Sequence, residues 1–221
     1  MENITPLYRA LADYAAGNPT RFHMPGHKGR RITELPLETL DVTELGATGD
    51  LYALSGPVRE AERAATGAFG AADCFFLTGG ATQGLLAMLA LHCPPGSKIL
   101  VDRNCHRAVL HGMVLLDLRP VFIYPKYNDR YGITISIEKS ALEAALDAHP
   151  DSRALVVTSP TYYGVGLDIP GMATLCKQRK IPLLVDGAHG AHLPVFEGFC
   201  HPVAAGAALA VLSAHKTLPA L

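Results

Sequence analysis

Residues 153–192 read "RALVVTSPTYYGVGLDIPGMATLCKQRKIPLLVDGAHGAH", and this stretch decides the fold. An apolar run comes first, a segment with helical spacing follows from Asp168, and a second apolar run begins at Ile181. Neither run alternates polar and apolar residues, as a strand with one face in water does, so both predict strands buried on two faces. A strand, a helix and a strand in this order predict a parallel pair with a crossover helix.

The same alternation extends outward over most of the chain. It predicts a three-layer α/β/α fold with a mainly parallel sheet, in which residues 51–221 form one large domain and residues 1–50 form an N-terminal helix and a linker. The predicted helices cover residues 5–17, 56–70, 81–92, 105–116, 136–149 and 168–180, and the predicted strands cover residues 73–78, 97–102, 120–125, 153–160, 181–186 and 208–216. Thr5 is expected to cap the first helix and Gly17 to end it.

The bulk composition excludes several classes of protein. The 221 residues are 49% hydrophobic, with 19 basic and 20 acidic residues and no run of like charges, which argues against a nucleic-acid or membrane-surface partner bound by electrostatics. No stretch approaches the ~20 apolar residues that span a bilayer, and residues 1–14 lack the pattern of a secretory signal. Five scattered cysteines predict neither a disulfide framework nor a zinc cluster, so we expect a cytoplasmic protein.

A phosphate site is predicted where "TGGATQG", residues 78–84, joins a strand to a helix. Ligands in parallel sheets lie outside the carboxyl ends of the strands, and Gly79 and Gly80 permit a tight turn there. The helix that follows presents unpaired backbone N–H groups and a positive dipole end to an anion. The pattern matches neither a Rossmann fingerprint nor a P-loop, and the alternative is a plain glycine-rich turn.

Two charged residues end other apolar runs. Asp186 follows "IPLLV", where a buried carboxylate requires a cationic partner unless it caps a helix or forms a structural salt bridge. Lys216 follows "ALAVLS", where a partly desolvated lysine near other cations has a lowered pKa and attacks carbonyls; the alternative is a surface lysine. His189 and His192 have no local third ligand, so no metal site is predicted, and His106 is either a core residue or a ring stacked on a cofactor.

Together these features favour one cofactor, pyridoxal phosphate. Its phosphate requires a helix N-terminus, its aldehyde requires a lysine amine, and its pyridine nitrogen requires a carboxylate to stay protonated. The turn at residues 78–84, Lys216 and Asp186 supply these three groups at successive strand ends of a doubly wound sheet.

Seven motifs carry a family resemblance: "FHMPGHKG" (22–29), "GPVREAE" (56–62), "FFLTGGATQGLLAML" (75–89), "DRNCHRAV" (102–109), "SPTYYGVGLDI" (159–169), "LLVDGAHGAH" (183–192) and "SAHKTLPAL" (213–221). As a set they resemble the ornithine/lysine/arginine decarboxylases, which are fold-type I, aspartate aminotransferase-like pyridoxal-phosphate enzymes. The resemblance implies the large domain of that fold, a homodimer or higher oligomer, and release of CO₂ from arginine, lysine or ornithine.

The resemblance also implies roles for individual residues. Lys216 would bind the cofactor covalently, Asp186 would pair with the pyridine nitrogen, His106 would stack on the ring, and His189 would lie beside it. Either His189 or Lys216 would carry the proton. Besides Gly80 of the turn, the phosphate would be held by Ala81, Thr82, Gln83, Ser213 and His215. The loop 22–29 would lie near the site, unless it is a solvated basic loop.

The chain departs from the family pattern in several places. Gly187 stands where members commonly have a glutamate, and Ala81 stands where they often have a hydroxyl residue. Compared with long family members, the chain would lack an N-terminal wing domain, the end of the large domain and the small C-terminal domain. We therefore expect a truncated short form with little activity alone. An aminotransferase or lyase of the same fold type, or a non-catalytic remnant, are the alternatives.

Overall fold

The computed structural model describes residues 5–32, 34, 36–53 and 55–219. It divides into two compact units, Met1–Phe76 and Leu77–Leu221. The sequence predicts that residues 51–221 form one large cofactor-binding domain, and this division of the chain stays a prediction. Within the described part of the chain, every helix is too short or too polar to cross a bilayer.

The first unit contains two α-helices, α1 (Pro6–Ala16) and α2 (Pro57–Phe69), and a 3₁₀ turn at Pro36–Thr39. Thr5 occupies the N-cap position of α1, but its side chain makes no capping hydrogen bond, so the expected cap is wrong. Helix α2 ends as expected from sequence, because Gly70 adopts a left-handed conformation with φ 63°.

The basic loop of the first unit is held by its own hydrogen bonds. Lys28 Nζ donates to the carbonyl of His23 at 2.6 Å, and His27 Nε2 lies 3.2 Å from Asp41 Oδ2. Arg21 donates to the carbonyl of Thr39 at 2.6 Å. The side chains expected near the site therefore stabilise the loop itself, and their place near the site stays a prediction.

The second unit is built on a five-stranded parallel sheet with the order β2-β1-β5-β6-β7. The predicted α/β fold with a mainly parallel sheet is therefore confirmed. Its strands are β1 (Lys98–Asp102), β2 (Arg119–Ile123), β5 (Leu155–Thr158), β6 (Leu183–Asp186) and β7 (Leu209–Val211), and β3 (Tyr127–Asn128) and β4 (Ile133–Thr134) form a separate antiparallel hairpin. Its helices are α3 (Gly80–His92), α4 (Arg107–Leu115), α5 (Lys139–Ala148), α6 (Ile169–Gln178) and a short turn, α7 (Ala214–Thr217).

Helices cover both faces of the sheet, and successive strand residues alternate between two apolar clusters. On β1, Ile99 and Val101 pack with α3 and α4, whereas Leu100 packs on the opposite face with α5 and α6. Every residue of β5 and β6 is buried. Burial on both faces is the physical reason why these strands read as continuous apolar runs.

Two glycines allow α3 to pack closely against its neighbours. A Cβ at Gly84 would lie 2.7 Å from Val211 Cγ1 on β7, and a Cβ at Gly112 of α4 would lie 2.5 Å from Leu89 Cδ1 on α3. Both distances are below ordinary van der Waals contact, so a larger residue at either position forces the elements apart.

Two predicted strands differ from the structure. Residues 73–78 form no strand and pair with no strand among the described residues, and Phe75 and Phe76 are exposed. Side chains of α2 contact this backbone instead, since the Phe76 N–H donates to Glu62 Oε1 at 2.9 Å and Arg59 donates to the Cys74 carbonyl at 3.3 Å. The last strand is shorter than expected, since β7 ends at Val211 and the chain turns into α7 after Ser213. Lys216 therefore lies on a helical turn beyond the sheet rather than on a strand.

Candidate active site

The carboxyl ends of the parallel strands bring the candidate residues to one edge of the sheet. Asp186 ends β6 and pairs in register with Thr158 of β5 and Val211 of β7. The segments after β1, β6 and β7 carry His106, His189 and Lys216 respectively. Because all five strands are parallel, these segments leave the sheet on the same side.

Asp186 is a buried carboxyl group with few partners. It is 2% exposed, and its Oδ1 accepts a hydrogen bond from the backbone N–H of Ala188 at 3.1 Å. Its Oδ2 accepts no hydrogen bond from any described residue. Burial raises the pKa of Asp186, opposed by the Ala188 N–H and then by the basic groups of His106, Lys216 and His189. The site therefore has unused capacity for a cation or a hydrogen-bond donor.

Lys216 and His189 contact each other directly. Lys216 Nζ lies 3.3 Å from His189 Nε2. Burial lowers the pKa of His189, and the positive charge of Lys216 lowers it further. A neutral imidazole accepts a hydrogen bond from an ammonium group, which can only donate. Lys216 is exposed in this structure, whereas the sequence predicted partial burial, because α7 carries it past the end of β7.

The start of α3 offers backbone donors for an anion. Gly80 begins the helix with φ +71°, a left-handed conformation that favours glycine. The first-turn N–H groups have no acceptor inside the helix. The side chain of Gln83 folds back, since its Oε1 accepts a hydrogen bond from the Gly79 N–H at 2.8 Å. Ala81 packs against the core, so it can offer only its backbone, while the side chain of Thr82 is exposed.

His106 is the N-cap residue of α4. Its Nδ1 accepts a hydrogen bond from the Ala108 N–H at 3.1 Å, which leaves Nε2 as the protonated nitrogen of the neutral ring. The ring is exposed, and in its protonated form it lowers the pKa of Asp186. A core position for His106 is therefore excluded, and the imidazole is oriented by the helix that it caps.

Ser213 and His215, predicted to bind phosphate, pair with each other. Ser213 Oγ lies 3.4 Å from His215 Nδ1, and Ser213 is buried whereas His215 is exposed. His192 contacts the ring of Phe196, with centroids 5.9 Å apart, rather than a second ligand. Among the described residues, no group of three or more His, Cys, Asp or Glu is placed to hold a metal ion.

Three further residues at this edge have no role in the sequence prediction. The ring of Tyr162 packs edge-on against His189, with centroids 5.7 Å apart. A Cβ at Gly187 would lie 2.9 Å from Leu212 Cδ2 and 3.3 Å from the Val211 carbonyl, so the glycine in place of the family's glutamate fits a crowded position. Asp102 ends "SKILVD" as Asp186 ends "IPLLVD", and this parallel is the signal that could have found it.

Comparisons with known proteins agree on a family. A model of the Orn/Lys/Arg decarboxylase major domain matches residues 5–221. An uncharacterized protein of Bacillus subtilis, YaaO, is 42% identical over 98% of this chain and 47% of its own length. An arginine decarboxylase of Halalkalibacterium halodurans is 36% identical over 96% of this chain and 45% of its own length. The chain thus spans about half the length of these relatives.

Solved structures agree on the fold. A lysine decarboxylase of Francisella novicida superposes with a TM-score of 0.79 at 22% identity, over 97% of this chain and 34% of that one. At this identity the likeness concerns the fold alone. With the match to the family model over residues 5–221, the chain belongs to the Orn/Lys/Arg decarboxylase family.

Proposed function

We propose that this chain is the cofactor-binding part of a fold-type I, pyridoxal-phosphate-dependent decarboxylase of basic amino acids. One observation carries the proposal: the buried carboxyl group of Asp186, the Lys216–His189 pair and the capped ring of His106 all lie in segments at the carboxyl edge of the sheet. The names of its relatives, arginine decarboxylase and lysine decarboxylase, support a basic substrate.

The residues present fit pyridoxal phosphate. The unused Oδ2 of Asp186 would hold the pyridine nitrogen, and the low polarity around it would strengthen that bond. The N–H groups at the start of α3, beginning at Gly80, would hold the phosphate, and the amine of Lys216 would bind the aldehyde. When bound, the cofactor supplies an electron-withdrawing ring that accepts the electron pair left by a departing carboxylate.

Asp186 keeps a proton on the ring nitrogen by remaining ionised. In the chain without cofactor, burial opposes ionisation, as the raised pKa shows. A cationic group placed on Oδ2 reverses this balance, because an opposite charge within a few ångströms favours the carboxylate. Binding of a protonated pyridine would therefore give the buried carboxyl group of Asp186 the cationic partner that it lacks in the free chain.

His189 orients the amine of Lys216 and is placed to carry protons. Because its pKa is lowered, the imidazole is neutral at pH 7 and accepts a hydrogen bond from Nζ at 3.3 Å. A neutral ring at this distance can take a proton from the amine or return one to it. The edge-on contact of Tyr162 restricts the rotation of His189 and so favours this geometry.

The experiment is a titration of the purified chain with pyridoxal phosphate, followed by the visible absorption band of the lysine-bound cofactor. We expect the band to form and to saturate as pyridoxal phosphate is added. Absence of the band would contradict the proposal. Arginine, lysine and ornithine are then added separately. Carbon dioxide with the matching amine identifies a decarboxylase, whereas a keto acid identifies an aminotransferase.

A further inference from the structure

We propose that Asp102 is a positioning residue that sets His106 at the candidate site by fixing the turn at residues 102–106. The assignment deepens the proposed function, because the site that it serves is the proposed cofactor site. Asp102 makes no hydrogen bond to Lys216 or His189 in the described part of the chain, so its action would pass through His106.

Asp102 lies at the end of β1 with its side chain turned inward. It is 2% exposed, and its Oδ1 accepts a hydrogen bond from the Asn104 N–H at 2.9 Å. This bond spans two residues and fixes the direction in which the chain leaves the strand. The backbone N–H of Thr158, on the neighbouring strand β5, also favours the ionised form of this carboxyl group and so lowers its pKa.

The carboxyl group of Asp102 has no described cation as a partner. Burial raises its pKa, opposed by the N–H groups of Asn104 and Thr158. The adjacent guanidinium of Arg103 lies instead over the ring of Phe122, 5.5 Å from its centroid. A buried, unpaired carboxyl group costs stability, so its contribution lies in the backbone groups that it holds.

The turn connects this carboxyl group to His106. Four residues after Asp102, His106 caps α4 by accepting the Ala108 N–H at 3.1 Å, and its charge interacts with Asp186. Cys105, between the turn and the cap, interacts electrostatically with both Asp102 and Asp186. Asp102 therefore holds the start of the segment whose histidine caps α4.

The test compares D102N, which keeps an oxygen acceptor, with D102L, which fills the space without one. Asp151→Asn, a surface aspartate before β5, is the matched control. Hydrogen exchange of the Ala108 amide in the cofactor-free chain reports the His106 cap. The Gly171 amide, which donates to Asp168 Oδ1 at 3.0 Å, reports an unrelated cap.

We expect D102L to accelerate exchange at Ala108 by about fivefold or more, the size of one lost cap, and to leave Gly171 unchanged. D102L should keep its Tm within about 3 °C, since an apolar side chain replaces a buried unpaired carboxyl group. D102N should restore slow exchange at Ala108, and Asp151→Asn should have no effect. Should D102L fail to fold, D102A provides the same comparison.

A second measurement links the turn to the cofactor. D102L should weaken binding of pyridoxal phosphate by about tenfold. When His106 is already replaced by alanine, adding D102L should cause little further loss of affinity, because Asp102 acts through His106. Unchanged exchange at Ala108 in D102L, a D102N variant as impaired as D102L, or additive losses with H106A would each overturn the proposal. If the unaltered chain binds no pyridoxal phosphate, the proposed function fails, while the exchange measurement still decides the role of Asp102.

Discussion

The two edges of the parallel sheet treat charge in opposite ways. At the amino edge, Lys98 pairs with Asp151 at 2.8 Å and Arg179 pairs with Asp147 at 2.7 Å, all near the surface. At the carboxyl edge, Asp186 is buried without an ion pair shorter than 4.0 Å among the described residues. Exposed pairs contribute little, whereas buried unpaired charges cost stability. The carboxyl edge therefore holds charges for a purpose other than stability.

The amino edge also shows why a concave surface alone does not identify a site. A groove of about 670 Å³ lies there, lined in part by Arg153, Arg179 and Lys180. Arg179 and Lys180 follow the carboxyl end of α6, where cations offset the negative end of the helix dipole. Their positions have a structural explanation that the buried groups of the other edge lack.

Replacement of the reactive amine should give the largest difference between the edges. Lys216→Ala should abolish the visible band of the bound cofactor, because no other described lysine contacts His189. Lys98→Ala, which removes an amine from the amino edge, is the control and should keep the band. A band of equal intensity in both variants would contradict the role of Lys216.

Asp186→Asn should weaken cofactor binding and stabilise the free chain. The pKa of Asp186 in the folded chain lies above its ordinary value of 3.8, so just above pH 3.8 the folded chain binds more protons than the unfolded chain. The free energy of unfolding therefore falls as the pH rises through that window. Asparagine keeps an oxygen acceptor for the Ala188 N–H and removes this pH-dependent loss of stability, because it does not ionise. Urea unfolding from pH 4 to pH 7 measures how the free energy of unfolding changes with pH. An equal slope in the unaltered chain and in Asp186→Asn would refute the titration of Asp186 as the cause.

Gly84→Ala should have a smaller effect, which falls on the packing of α3. Its Cβ would lie 2.7 Å from Val211 Cγ1, so α3 must shift away from β7, at a cost of about 1–3 kcal/mol. Gly67→Ala, in a helix interior with nothing within 4 Å, is the matched control and should stabilise by about 0.5–1 kcal/mol. Thermal unfolding of Gly84→Ala and Gly67→Ala measures this difference in stability. Equal destabilisation by the two changes would contradict the close approach of α3 to β7.

The smallest effect is expected at the amino edge. Lys98→Met should change stability by no more than about 1 kcal/mol, because its pair with Asp151 is partly exposed. The change should shrink as salt is added, since ions screen surface pairs. Cofactor affinity should not change. Weaker binding of pyridoxal phosphate in Lys98→Met would contradict the proposal that only the carboxyl edge contributes to cofactor binding.

The sequence predicts the parts of the site that follow from local patterns. Asp186 stands out because a carboxylate rarely ends a buried apolar run, and the turn at Gly80 stands out because glycine begins a helix there. The parallel sheet follows from strands that lack alternation. Each of these signals lies within a few residues of the feature that it predicts.

Features that depend on distant contacts could not be predicted in this way. The Lys216–His189 pair joins residues 27 apart, and the crowding at Gly187 comes from Leu212 of the next strand's end. Residues 73–78 have an apolar pattern but no pairing partner among the described residues, because strand formation depends on a neighbour. The exposure of Lys216 follows from the turn α7, which an apolar run cannot reveal.

The most direct test maps where pyridoxal phosphate attaches. The chain is incubated with the cofactor, reduced with borohydride to fix the bond, digested and analysed by mass spectrometry. We expect a single labelled peptide that contains Lys216, with the label strongly reduced in Asp186→Asn. Labelling spread over surface lysines such as Lys98 and Lys177, or a label at Lys216 that is indifferent to Asp186, would contradict a shared site at the carboxyl edge.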